Sequence, residues 1–465
     1  MANQTSRKSK PLINVAVVGH TNTGKTSLIR TLLRDDRFGQ IDDMAGTTRS
    51  VEKSVIYAAD DAILNLFDTP GFEDSSALLQ SLENLSKTFA ARLPADLLRE
   101  FITRADQFPE FIQEIKVLRQ SRHSDVLLYI IDVREPLLGK YSDEVEILSK
   151  AGKPILPVFN FIAGHSEALM RWREQMAKFN LHAALEFDTV AFDFEAEKRL
   201  YQKLQSLLER HYDELQALIH YRQEVWGRLN HAAAQRIFLL LTEVACYRGE
   251  VKHKGGASDA DIASMQNLVR NAEQQALQDL LAIFAFTQTD VELQQLAVHD
   301  GRWKLDIFSP HMLKDFGLNA GPTALKGAAA GAGIDLIVGG LSLGAATVLG
   351  GALGAGWAML RRYRQELTAA WHGHQWLCVD TDTLSLLYIR QRKLLHTLTR
   401  RGHAAQNKVM LANDTEHILP AEWPNVINIL RQNPEWQHGA STNADYQALQ
   451  TQVIDWLLSA NIDNQ

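Results

Sequence analysis

"VVGHTNTGKTSLIRTLL", Val17 to Leu33, is the stretch that decides how this chain folds. The apolar run Ile13–Val18 enters it as a buried strand, and an amphipathic helical pattern, Ser27–Leu33, leaves it. Between them stands Gly19-x-x-x-x-Gly24-Lys25-Thr26. Such glycines permit a tight turn whose backbone N–H groups face inward and form a nest for anionic oxygens. Asn22, Thr23, Gly24 and Ser27 complete the cradle. Lys25 supplies a point charge for β- and γ-phosphates, and the Thr26 hydroxyl is a ligand for Mg²⁺. The helix that follows adds its positive N-terminal dipole. An eight-residue motif recurs by chance; a strand before it and a helix after it are the context its mechanism requires.

Two further boxes follow in order. "LNLFDTPGFED" places Asp68-Thr69-Pro70-Gly71 at the end of a second buried strand, where Asp68 can hold Mg²⁺ through water and the Gly71 amide can sense a γ-phosphate. "DMAGTTRS", Asp43 to Ser50, is a polar loop in which Thr48 can lend its hydroxyl to Mg²⁺ only while the γ-phosphate is present, the behaviour of a switch. DTPG alone reads as a plain turn; the three boxes together read as a nucleoside triphosphate and Mg²⁺ site. Lys25 and Thr48 are the candidate catalytic residues.

The rest of the chain sets bounds. Its 465 residues suffice for two or three domains, and 46% apolar with 22% charged residues makes most of it globular. A net charge of −7 argues against a broad nucleic-acid surface. Cys246 and Cys378 lack metal-ligand spacing and fit a reducing cytoplasm better than a disulfide framework. Residues 1–12 read as a tail leading into a strand, not as a signal peptide. Short continuous apolar runs at Ala62–Phe67, Val126–Ile131 and Ile155–Phe159, alternating with helical patterns such as Ser142–Leu148, predict a three-layer α/β domain with a mostly parallel sheet over residues 13–195. A helical insertion over about 73–123 carries Phe108, Phe111, Ile112, Ile115 and Leu118 at helical intervals.

GHTNTGKT, AGTTR and DTPG together resemble the TrmE–Era–EngA class of bacterial P-loop GTPases, and "YIIDVREPL", Tyr129 to Leu137, is similar to the strand and loop that follow its second switch. The resemblance covers residues 13–195 and implies GTP/GDP and Mg²⁺ as ligands. It also implies a potassium ion at Asn22, slow hydrolysis alone, and stimulation by cation, homodimerisation or a partner. The reading of Asn22 as a mere turn residue stays open beside this. The second half resembles an uncharacterised helical domain that accompanies such GTPases in proteobacteria. Two departures stand out. The class reads guanine with Asn-Lys-x-Asp, whereas this chain has Asn160-Phe161-Ile162-Ala163, and "FDTVAF", Phe187 to Phe192, replaces a Ser-Ala loop. A lost charge-assisted hydrogen bond to the base is worth about 1.5–3 kcal/mol, so adenine stays open beside guanine. Phe72 stands where Ras-like enzymes place a water-orienting glutamine.

Beyond 195 the strand signal disappears, and an all-α C-terminal region is expected: helical at 196–320 and 366–411, a Gly/Ala-rich apolar segment at 321–365, and a polar tail at 412–465. Leu204, Leu208, Leu215, Leu218, Val225 and Leu229 predict a packed helix. Asp259–Phe286 and Thr381–Arg400 are further helical patterns, and the polar tail holds one short amphipathic run near Tyr446–Leu458. Arg390, Arg392, Lys393, Arg400 and Arg401 read as a solvated face ahead of an RNA site, and His372 with His374 lacks further metal ligands. Leu336 to Leu360 holds no charged residue and seven glycines. As helix it would extend about 37 Å, enough for a hydrocarbon core of about 30 Å, with small residues at four-residue spacing and Arg361, Arg362 and Arg364 after it. The competing reading is a buried hairpin broken at Gly339-Gly340. The expected role is a nucleotide-controlled switch at the cytoplasmic face of an inner membrane, as a peripheral or integral protein. A ribosome- or RNA-associated assembly factor and a non-hydrolysing scaffold are the alternatives.

Overall fold

The computed structural model describes residues 12–34, 50–89, 91–187, 194–251, 257–285, 298–299, 302–308, 334–338, 341–342, 375–400 and 419–459. The chain divides into two compact units, with the boundary between Gly227 and Arg228.

The first unit is built on β1 (Ile13–Val18), α1 (Lys25–Leu33), β2 (Glu52–Ala58), β3 (Asp61–Asp68), α2 (Ser75–Thr88), α3 (Pro94–Thr103), α4 (Ile112–His123), β4 (Val126–Asp132), α5 (Gly139–Ser149), β5 (Ile155–Asn160), α6 (Ser166–Ala177), β6 (Leu185–Glu186) and α7 (Phe194–Leu207). The first half of α8 (Tyr212–Ala245) belongs to it as well. Its six-stranded sheet has the order β2-β3-β1-β4-β5-β6. The strands run parallel except β2, which pairs antiparallel with β3. Side chains alternate across a strand, so each continuous apolar run feeds two cores. Ile13, Val15 and Val17 pack with Leu28, Leu32, Leu200, Leu204, Leu215 and Leu218 on one face. Ala16 and Val18 pack with Leu78, Leu82, Phe101, Leu118, Val145 and Trp172 on the other. The three-layer, mostly parallel α/β reading is borne out.

Several details differ from the sequence reading. β2 was not foreseen, because EKSVIYA lies at the sheet edge with Ile56 alone buried and therefore shows no continuous apolar run. In the insertion, Phe108 links two short 3₁₀ turns, Phe111 ends the second and Ile112 is 56% exposed, while Phe111, Ile115 and Leu118 are buried. The stripe from Leu204 is two helices, interrupted by a 3₁₀ turn at Glu209–His211. Leu204, Leu208, Leu215 and Leu218 cover the sheet of the first unit, so that unit runs past residue 195.

The second unit holds the rest of α8, β7 (Gly249–Val251), α9 (Asp259–Ile283), β8 (Val298–His299), β9 (Arg302–Trp303), β10 (Ile334–Val338), β11 (Leu341–Ser342), β12 (Gln375–Val379), α10 (Thr381–Arg400), α11 (Trp423–Gln432) and α12 (Ala444–Ser459). The region is mainly helical, as expected. Ser258 and Asp261 form a capping box that starts α9. It also contains a four-stranded antiparallel sheet, β11-β10-β12-β7, which corrects the expectation of helix alone. IDLIV and QWLCV are runs too short for periodicity to separate a strand from a helix. Ile334–Val338 and Leu341–Ser342 are therefore strand, not the start of a spanning helix. No helix among the described residues is long and apolar enough to cross a membrane. Residues 321–333, 339–340 and 343–365 of the Gly/Ala-rich segment, with His372 and His374, lie outside the described residues.

Two more corrections concern polar-looking stretches. The expected tail contains α11 and α12, anchored by buried Trp423, Trp436 and Tyr446. The Trp423 indole donates to Ser385 Oγ at 3.0 Å, and Tyr446 meets Trp436 and Phe238 edge to face at 5.3 Å each. Arg390, expected on a solvated face, is 1% exposed; its guanidinium lies 3.2 Å from buried Glu273 and 4.1 Å from the Trp303 ring centre. Burial pushes the Glu273 carboxyl up to about 7, against the pull of Arg390. Both cysteines are buried and form no disulfide, and burial raises the Cys246 thiol to about 12.

Candidate functional site

β1 ends at the carboxyl edge of the sheet and delivers the chain into the loop Gly19–Gly24. Gly19 has φ +144° and Gly24 φ +94°. A Cβ at Gly19 would stand 2.6 Å from the Ile130 carbonyl oxygen, and one at Gly24 would stand 2.3 Å from Asn160 Nδ2. Both positions accept only glycine. Asn22 is exposed with φ +61°, a left-handed conformation asparagine tolerates better than other side chains. Thr23 Oγ1 donates to the His20 carbonyl at 3.0 Å and tightens the turn. Gly24 then caps α1.

Lys25 is 7% exposed and lies within the cradle: its Nζ donates to the carbonyls of His20 at 2.6 Å and Gly19 at 3.3 Å. Burial lowers its pKa to about 8, opposed by the carboxylates of Asp68 and Glu144. Phosphate oxygens placed here would meet this ammonium and the backbone N–H groups of the loop.

Thr26 Oγ1 donates to Asp68 Oδ2 at 2.6 Å, so the two residues expected to hold Mg²⁺ face each other at the ends of α1 and β3. Asp68 is fully buried. A hydroxyl beside a carboxylate is a hard, all-oxygen donor set that leaves room for water and phosphate oxygens, which suits Mg²⁺. Among the described residues no cluster of three His, Cys, Asp or Glu side chains forms a metal site of another kind. Thr69 donates to the Val17 carbonyl at 2.7 Å and fixes DTPG against β1. Gly71 lies so close to the phosphate loop that a Cβ would be 2.5 Å from the Thr21 nitrogen. The Phe72 amide donates to the Gly19 carbonyl at 3.2 Å, while its ring is fully buried among Leu78, Leu82 and their neighbours. Phe72 thus orients no water. Thr48 lies outside the described residues, as does the loop 188–193.

Asn160 is fully buried; its Nδ2 donates to the Thr23 carbonyl at 3.0 Å and its Oδ1 accepts from the Phe161 amide at 2.9 Å. It ties the end of β5 to the phosphate loop. The structure therefore brings Gly19, Asn22, Thr23, Gly24, Lys25, Thr26, Asp68, Gly71 and Asn160 to one edge of the sheet, and Ser27 follows in the first turn of α1.

Sequence reading missed a partly buried network that reaches the loop at His20. His20 Nδ1 lies 2.9 Å from Glu144 Oε1, Tyr129 donates to Glu144 Oε2 at 2.8 Å, and Lys140 Nζ lies 2.8 Å from His20 Nε2. An ammonium can only donate, so Nε2 accepts and Nδ1 carries the proton toward Glu144. Burial raises the Tyr129 hydroxyl pKa well above its ordinary value, and the adjacent Glu144 carboxylate raises it further. A second missed residue is Glu114 of α4, 3% exposed, whose Oε1 accepts from the amides of Glu73 at 3.1 Å and Asp74 at 3.3 Å. The helical insertion thus holds the loop that follows DTPG.

Comparison with known proteins agrees with this geometry. Residues 14–161 match the family described as 50S ribosome-binding GTPase. Residues 173–458, 286 of the 465, match the family described as a domain of unknown function, DUF3482. The tRNA modification GTPase MnmE of Mycoplasmopsis synoviae is 27% identical over 134 residues, covering 28% of this chain and 28% of that protein. MnmE of Streptococcus gordonii is 29% identical over 136 residues, 29% of each. The chain thus spans under a third of the length of these relatives. The solved complex of Era with MgGDPNP and nucleotides 1506–1542 of 16S ribosomal RNA covers 59% of this chain and 89% of that one, at 16% identity and a TM-score of 0.28. With its nucleotide fold and cradle formed by a GTPase domain of the TrmE–Era–EngA class, the chain belongs to the DUF3482 family.

Proposed function

We propose that this protein is a Mg²⁺-dependent GTP hydrolase, slow by itself, that works as a nucleotide-controlled switch. The observation that carries the reading is the convergence of Lys25, Thr26 and Asp68 on one glycine cradle, with Gly71 pressed against it. When bound, Mg²⁺ would neutralise phosphate charge; Thr26 and Asp68 are the residues that would hold it. Lys25 offers a cation to the β- and γ-phosphates. Gly71 packs against the phosphate loop at Thr21, which suits a segment that senses the γ-phosphate and moves on hydrolysis. Thr48 is the proposed second switch ligand, and exposed Asn22 the proposed potassium ligand, with homodimerisation a further route to stimulation. The test is turnover of GTP by the full chain with Mg²⁺, in KCl and in NaCl, and after chelation. Absence of hydrolysis under every condition, with GTP still bound, would leave only a binding scaffold.

Two settings for the switch have separate support. The run from 343 to 360 holds no charge and is followed by Arg361, Arg362 and Arg364, which supports peripheral attachment to an anionic membrane face. The described family of residues 14–161 supports a ribosomal partner instead. Flotation with anionic liposomes and co-sedimentation with large ribosomal subunits separate them.

A further inference from the structure

Resting on the nucleotide reading above, we propose that Phe161, backed by Arg134, is the surface on which the nucleobase stacks, so that this site grips the base by its face and not by its edge. The direction of the nucleotide follows from the sheet. The phosphate cradle lies at the end of β1, and Asp68 with Thr26 lies on the β3 side, so the Mg²⁺-bearing phosphates point toward β3. The nucleoside must then extend the other way, over β4 toward β5. Two strand spacings amount to about 10 Å, the reach of a sugar and a base. At that place the chain presents Phe161.

Three observations make Phe161 a built surface. Its ring carbon Cε2 lies 3.6 Å from where a Cβ of Gly24 would stand, beside the last residue of the cradle. Its backbone has φ +57°, a conformation that is strained for a bulky aromatic and persists only where the surroundings enforce it. Here the enforcing group is Asn160, whose side chain binds both the Phe161 amide and the Thr23 carbonyl. The Arg134 guanidinium lies 3.8 Å from the ring centre. It is itself held flat by two bonds to Asp132, Nε to Oδ1 at 2.9 Å and Nη2 to Oδ2 at 2.7 Å. A cation held over a ring is attracted by the ring's quadrupole and fixes the ring's orientation. Ala163, two residues on, has no side-chain acceptor for a base edge. Aromatic stacking accepts every base because every base has a π-face.

Calorimetric titration of the full chain with GTP, ATP and tripolyphosphate, all with Mg²⁺, tests this. GTP and ATP should bind within about tenfold of each other. Phe161→Ala should weaken both nucleotides by about 5- to 100-fold while tripolyphosphate affinity stays within about twofold, and Phe161→Trp should restore the nucleotides. Unchanged GTP affinity in Phe161→Ala overturns the inference. So does an equal loss for tripolyphosphate, which would make the ring a mere prop for the cradle. If the unaltered protein binds neither nucleotide nor tripolyphosphate, the phosphate-site reading fails instead, and the inference with it.

Discussion

Lys25 carries the sharpest consequences at the scale of single residues. Lys25→Ala should abolish GTP binding in a fluorescent-analogue titration, because it deletes the buried cation of the cradle. The same ammonium gives binding a pH dependence. With its pKa lowered to about 8 in the free protein, Lys25 is mostly charged at pH 7 and loses its proton as pH rises. Bound phosphate favours the charged form and raises that pKa. GTP affinity should therefore hold below about pH 8 and fall by up to tenfold per pH unit above it. A flat profile between pH 7 and 9.5 would show that Lys25 does not face the phosphates. For folding the sign is opposite: the unfolded chain binds more protons between about 8 and 10.5, so Lys25 adds stability as pH rises through that window. Asn22→Ala should remove any advantage of KCl over NaCl in turnover while GTP binding survives; a persisting advantage would place the potassium elsewhere.

At the scale of elements, the loop after DTPG is held from two sides. Gly71→Ala puts a Cβ 2.5 Å from the Thr21 backbone, and backbone cannot yield as a flexible side chain would. That variant should lose GTP turnover by tenfold or more while GDP affinity changes far less, measured by steady-state hydrolysis and titration. Glu114→Ala removes the acceptor of two amides and should cost about 1–3 kcal/mol in denaturant unfolding, with Glu114→Gln milder. The cradle was legible in the sequence because its chemistry sits within eight consecutive residues, and Asp68 because DTPG ends an apolar strand. Glu114, Glu144 and Arg134 were not. Glu114 reaches back 40 residues and Glu144 reaches 124, and an acid on a helical stretch looks like any solvated acid until the fold brings its partner to it. β2 and β10 escaped for a local reason: an edge strand and a five-residue strand give periodicity too little to work with.

At the scale of the molecule, residues beyond 195 are part of the first unit's core. Leu200, Tyr201, Leu204, Leu208, Leu215 and Leu218 are each at most 6% exposed and cover one face of its sheet. Six such side chains, at about 1.5–3 kcal/mol each, are worth as much as a domain's whole margin of stability. A chain ended at residue 195 should accordingly lose cooperative thermal unfolding by calorimetry; a sharp transition near that of the full protein would refute this. The junction of the two matched families has a further meaning. The DUF3482 match begins at residue 173, inside α6, and thus includes β6, whose pairing partner β5 lies in the GTPase match. The sheet is closed by residues from both stretches. In this chain, then, residues 173–458 are no detachable module: severed from the GTPase stretch, they would carry β6 without its pairing strand and α7 with its sheet-facing side uncovered.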